Sequence, residues 1–141
     1  GLSSPVGANA AVVTLSVQGT ATTVGGVQTT VDLPAGVTVA ADASNNYAVS
    51  NGVLTPLGAT ASGSLVAAQF VPATATTPAK VRIGLINVPG FAPGEFLSIK
   101  CDIAPGSTPQ ASGFSVEPGA SVSDSAGHPV SGASVTLSVR L

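Results

Sequence analysis

The chain has 141 residues, six acidic and four basic, with a formal net charge of -2. That length suits one domain with a full core, and the charge leaves no electrostatic footprint for nucleic acid or an anionic membrane surface. Charged residues are 7% of the chain, against about a quarter in an ordinary soluble domain, so the surface has to be built from Ser, Thr, Asn, Gln, Gly and Ala.

Residues 1–10, GLSSPVGANA, show no period and are expected to form an N-terminal arm. Alternation begins at residue 11. Val13, Leu15 and Val17 fall on one face, and Thr14, Ser16 and Gln18 on the other. Val27, Thr29, Val31 and Leu33 likewise oppose Gln28, Thr30 and Asp32. A period of two is the mark of a half-buried strand. Pro34-Ala35-Gly36 is a turn, since Pro presets one torsion and Gly accepts the other. A short strand, VTVA, follows, and then a polar turn over residues 42–46, DASNN. Residues 47–58 are expected to form a hairpin about Asn51-Gly52.

Five further strands are expected: SLVAAQFVP, KVRIGLINV, EFLSIKCDIA, FSVEPGASVS and ASVTLSVRL. SLVAAQF is the nearest approach to a helix, but it is short and stops at Val71-Pro72. No apolar run nears the ~20 residues of a membrane span. The expected fold class is all-β: a single jelly-roll or immunoglobulin-like sandwich of about nine strands, over residues 11–141.

The stretch GEFLSIKCDIAPG holds the one cysteine together with Glu95, Lys100 and Asp102. On alternation Cys101 shares a face with Leu97, Ile99 and Ile103, while Phe96, Ser98, Lys100 and Asp102 face away. Cys101 therefore reads as a small buried hydrophobe, and the charges as a solvated strand face. One cysteine cannot form an intramolecular disulfide. The one histidine, His128, lies in a Gly- and Pro-marked loop near Asp124, and no strained nucleophile turn accompanies it. The six acids Asp32, Asp42, Glu95, Asp102, Glu117 and Asp124 are scattered singly. Zinc needs several Cys or His ligands and calcium needs clustered carboxylates. No catalytic, cofactor-binding or metal-ligating residue is expected, and no enzyme activity. Sugar-binding platforms usually expose aromatics. Here Trp is absent and Tyr47 stands with Phe70, Phe91, Phe96 and Phe114.

Three segments carry a resemblance: VGGVQTTVDLPAGVTV, GEFLSIKCDIAPGSTPQASGFSV and SVSDSAGHPVSGASVTLSV. They resemble, in order, an early strand and turn, a late alternating strand, and the closing turn and strand of the cohesin-like module. The resemblance spans roughly residues 11–140. It implies a nine-stranded jelly roll and a protein-interaction role, since cohesins bind dockerin modules and cohesin-like domains occur on bacterial and archaeal surface proteins.

Low charge, Thr- and Ser-rich strands and the lack of reactive groups point to an extracellular or cell-surface location. The expected function is a non-catalytic structural or interaction module, a scaffold or filament-type subunit. The alternative is a cohesin-type binding module. The expected partners are proteins, either copies of this chain or a dockerin-like module, with polysaccharide as a further candidate. The chain begins at Gly1 and contains no Met, so a processed form, a tag remnant or an excised domain is expected.

Overall fold

The computed structural model of the protein describes residues 10–141. The expected arm therefore lies outside the described residues, except for Ala10, which opens the first strand.

The strands are β1 (Ala10–Gln18), β2 (Val24–Asp32), β3 (Val37–Thr38), β4 (Ala41–Asp42), β5 (Ala48–Val49), β6 (Leu54–Pro56), β7 (Ser64–Val71), β8 (Lys80–Phe91), β9 (Gly94–Ile103), β10 (Ser115–Val116), β11 (Ser121–Asp124) and β12 (Ser134–Arg140). They form two antiparallel sheets. The smaller runs β12-β1-β9, with β3 and β6 both on the far side of β9. The larger runs β2-β8-β7-β5-β4, with β10 and β11 both along the outer side of β2. Twelve segments stand where about nine strands were expected, because strand positions at the edges are split into short pieces.

The alternation read from sequence decides what is buried. Val13, Leu15 and Val17 of β1 and Leu97, Ile99 and Cys101 of β9 point inward and are at most 1% exposed. Val27 and Val31 of β2 and Val81, Ile83 and Leu85 of β8 meet them from the larger sheet. Each such aliphatic side chain contributes about 1.5–3 kcal/mol when fully buried. SLVAAQF is strand β7, its inward positions being Val66, Ala68 and Phe70.

Two local expectations are corrected. Residues 47–58 are not a hairpin. β5 belongs to the larger sheet and β6 to the smaller, so the turn at Asn51-Gly52 carries the chain across the sandwich. The buried Val53 anchors that crossing, and its carbonyl accepts from the Lys100 N–H at 2.8 Å. Phe96 does not share the outward face of β9. The register against β1 shifts between Leu15 and Ser16, which pair with Leu97 and Glu95 and leave Phe96 as the extra residue of a bulge. Both Phe96 and Leu97 then point inward, each 0% exposed. The Phe96 carbonyl faces β6 and continues its register with β9, accepting from Leu57 N–H at 3.0 Å. The Thr60 hydroxyl lies 2.7 Å from the same carbonyl and 2.6 Å from that of Leu57. Phe91 stacks on Phe96 with ring centroids 6.0 Å apart, plugging one end of the sandwich.

Asn87 points inward from β8 and ties the start of β7 in place. Its Nδ2 donates to the Ser62 carbonyl at 3.0 Å and to the Ser64 hydroxyl at 2.8 Å.

Phe96→Ala should lower stability by about 3–5 kcal/mol in urea unfolding, the range for emptying a packed aromatic site. Thr60→Val should lower it by only about 1 kcal/mol, a hydrogen-bond effect. A near-neutral Phe96→Ala would show that the bulge does not turn this ring inward.

Candidate functional site

The groups that chemistry usually employs are kept apart or occupied. Cys101 is 0% exposed, and burial, with the Asp102 charge as a lesser cause, pushes its thiol up to about 12. Lys100, Asp102 and Glu95 stand exposed on the other side of the strand. His128 is 77% exposed, its Nδ1 3.8 Å from Asp124. Asp124 instead closes its own turn, one oxygen accepting from the Ala126 and His128 N–H groups at 2.9 Å each. The His128 N–H bond is the main reason this carboxyl lies below its usual range. In DASNN the Asp42 carboxylate accepts from the Ser44 N–H at 3.0 Å and hydroxyl at 2.7 Å. Among the described residues no three His, Cys, Asp or Glu side chains gather where a metal could sit. All four phenylalanines are buried, which leaves Tyr47 as the exposed aromatic.

One charged cluster escaped the sequence reading. Register places Ser115, Asp32 and Lys80 in one row across β10, β2 and β8. Glu117, just past β10, reaches back over β2, so that Lys80 Nζ lies 2.6 Å from its Oε2 and 3.9 Å from Asp32 Oδ1. That Asp32 oxygen is buried and has no hydrogen-bond partner. Burial first, then the adjacent Glu117 carboxyl, raises Asp32 to about 6, while the Asp32 and Lys80 contacts lower Glu117. The three residues are far apart in sequence, and only the pairing of β10, β2 and β8 brings them together.

The second feature is the outer face of the larger sheet. Leu65 and Ile86 are register partners on β7 and β8, 71% and 57% exposed, and Val88 beside them is 78% exposed. The next outward row is small, with Gly84 opposite Ala67 and Gln28. The row beyond it carries Arg82 and Gln69. A trough therefore crosses the strands, floored by Gly84 and Ala67, with an apolar wall on one side and a polar, cationic wall on the other. Four residues along β8 separate the walls, about 13 Å at strand rise. Two adjoining hollows of about 530 and 490 Å³ share Gln28, Ala67 and Gly84. The segment Glu117–Ala120, which interrupts the edge between β10 and β11, lines the larger of them. Alternation along β7 and β8 sets these outward positions, and the register makes them adjacent.

In the native state Cys101 should resist a thiol reagent and react only after denaturant is added. Rapid stoichiometric labelling would contradict its burial. Asp32 gives a pH test. Its proton is held more tightly in the folded than in the unfolded state, so its stabilising share is full below the unfolded value and is lost as pH rises through about 6. Asp32→Asn should melt higher than the wild type at about pH 7.5, by a smaller margin at about pH 5, and level with it only below the ordinary aspartate value. An unchanged gap across that interval would contradict the shift. Glu117 runs the opposite way: its share is present above its usual range and lost in stronger acid.

No family model matches the sequence, and no curated protein matches it. Solved structures do match the fold. The type II cohesin A11 from Bacteroides cellulosolvens superposes with a TM-score of 0.57 at 11% identity, covering 87% of this chain and 82% of that one. The non-cellulosomal cohesin from the hyperthermophilic archaeon Archaeoglobus fulgidus gives 0.55 at 14% identity, covering 86% of this chain and 72% of that one. The chain is a two-sheet β-sandwich with a cohesin-like fold.

Proposed function

We propose that this chain is a non-catalytic, extracellular interaction module that docks a helical, dockerin-like protein module across the trough on its larger sheet. The observation that carries this reading is Gly84. It sits in the interior of β8, where glycine weakens a strand by roughly 0.5–1 kcal/mol relative to alanine. Its φ is not positive, and a Cβ built on it meets nothing within 4 Å. The fold gains nothing from this glycine; the open floor between two walls does. A helix is about 10–12 Å across, close to the width between the walls. Its apolar side would cover Leu65, Ile86 and Val88, and an acidic side chain would meet Arg82. The cohesin-like fold supports a protein partner, and the low charge with Ser- and Thr-rich outer rows supports an extracellular setting.

Association with copies of itself is a second reading, favoured by β12. Among the described residues its outer edge pairs with no strand, and it carries neither proline nor bulge. Such an edge invites strand addition. The arm, proposed as residues 1–10, would serve this association.

Gly84→Val should leave the isolated domain as stable or more stable, by up to about 1 kcal/mol from the gain in strand propensity. Calorimetry with recombinant dockerin modules should show binding to the wild type and at least a tenfold loss in this variant. Undiminished binding by Gly84→Val, or no binding by the wild type, would overturn the trough reading. Concentration-dependent sedimentation that disappears on deleting residues 1–9 would instead favour self-association.

A further inference from the structure

We propose that Asp32, Lys80 and Glu117 form a proton-operated clasp on the Glu117–Ala120 wall of the trough, drawn tight in mild acid and loosened at neutral pH. Its consequence for docking rests on the trough reading; the clasp itself does not.

The geometry gives the device its parts. Glu117 belongs to a connection that interrupts the edge strand, so fewer ladder bonds hold it than hold its neighbours. Its N–H donates to the Thr30 carbonyl at 2.8 Å, a backbone tether at one point. Its carboxylate is tied to Lys80 across β2. Between them Asp32 presents a buried oxygen that accepts no hydrogen bond, with Lys80 Nζ 3.9 Å away. Glu117–Ala120 line the larger hollow with Arg82 and Gly84, so whatever fixes this segment fixes the shape of the trough.

Protonation changes the balance of this triad. With both carboxyls ionised, one ammonium faces two negative charges, and Asp32 repels Glu117. When Asp32 takes a proton from solvent, the cluster becomes neutral, and the new O–H can donate to the Glu117 carboxylate. A carboxylic acid bonded to a carboxylate is a strong, charge-assisted pair. The charged groups facing Asp32 are Lys80 from β8 and Glu117 from the edge connection, while Arg82 acts on Glu117 from two residues further along β8. β10 brings Ser115 and Val116, which do not titrate in this range. Burial and the neighbouring carboxyl move Asp32 up to about 6, which puts the change in mild acid.

The test uses the whole chain and no partner. Carboxyl carbons of Asp32 and Glu117 and the amides of Gly119 and Ala120 are followed by NMR from neutral to mildly acidic pH. The Asp32 carboxyl should titrate near the stated value. The Gly119 and Ala120 amides should shift with the same midpoint and become at least threefold better protected from exchange below it, after correction for intrinsic rates. In Asp32→Asn the midpoint should vanish, with protection held at its acid level throughout. In Glu117→Gln, which keeps the backbone tether to Thr30, the Asp32 midpoint should fall toward that of an ordinary aspartate and the amides should stop responding. Amides that do not follow Asp32, or that respond equally in Asp32→Asn, overturn the clasp. Neither result bears on whether a partner docks, which Gly84→Val decides separately.

Discussion

Two sheets that each present one apolar face are stable only when those faces close on each other, and every other feature of this molecule follows from that closure. The inward rows of β1 and β9 meet those of β2 and β8, and the residues between them are excluded from water. With charge at 7% of the chain, surface ion pairs have little part in holding the fold, and exposed pairs are weak in any case. Packing carries the load. The few charges are therefore free to be placed for other reasons, and three of them meet at one edge of the larger sheet.

The closure also explains where the chain departs from regularity. A phenylalanine at an outward position of β9 would be wasted on solvent. The bulge at Phe96 turns it inward, where it stacks on Phe91, while its carbonyl keeps the β6 register with the Leu57 N–H and also meets the Thr60 hydroxyl. The β5–β6 connection follows the same logic, since the buried Val53 anchors the crossing while Asn51 and Gly52 stay exposed.

Much of this was legible in the residues. Alternation assigned the inward faces of β1 and β2 and placed Cys101 in the core, because a period of two leaves no other face for it. The polar turn at Asp42 was readable from its composition. Phe96 was misplaced because the bulge lets Phe96 and Leu97 face the same way, which strict alternation does not allow, and a bulge has no reliable sequence mark. Asn51-Gly52 was misread because the same dipeptide serves a hairpin or a crossing between sheets, and only the partners of β5 and β6 distinguish them. The Asp32–Lys80–Glu117 cluster and the trough were not legible, since both depend on register between distant strands. Gly84 was one glycine among 17, and its meaning lies in the empty space above it.

The most direct measurement is methyl cross-saturation NMR on the chain bound to an unlabelled helical dockerin module. Docking in the trough predicts strong attenuation at the methyl groups of Leu65, Ile86 and Val88, with Leu141, exposed at 55% beyond β12, unaffected. Attenuation centred on Leu141 and β12, with the three trough methyls untouched, would contradict it.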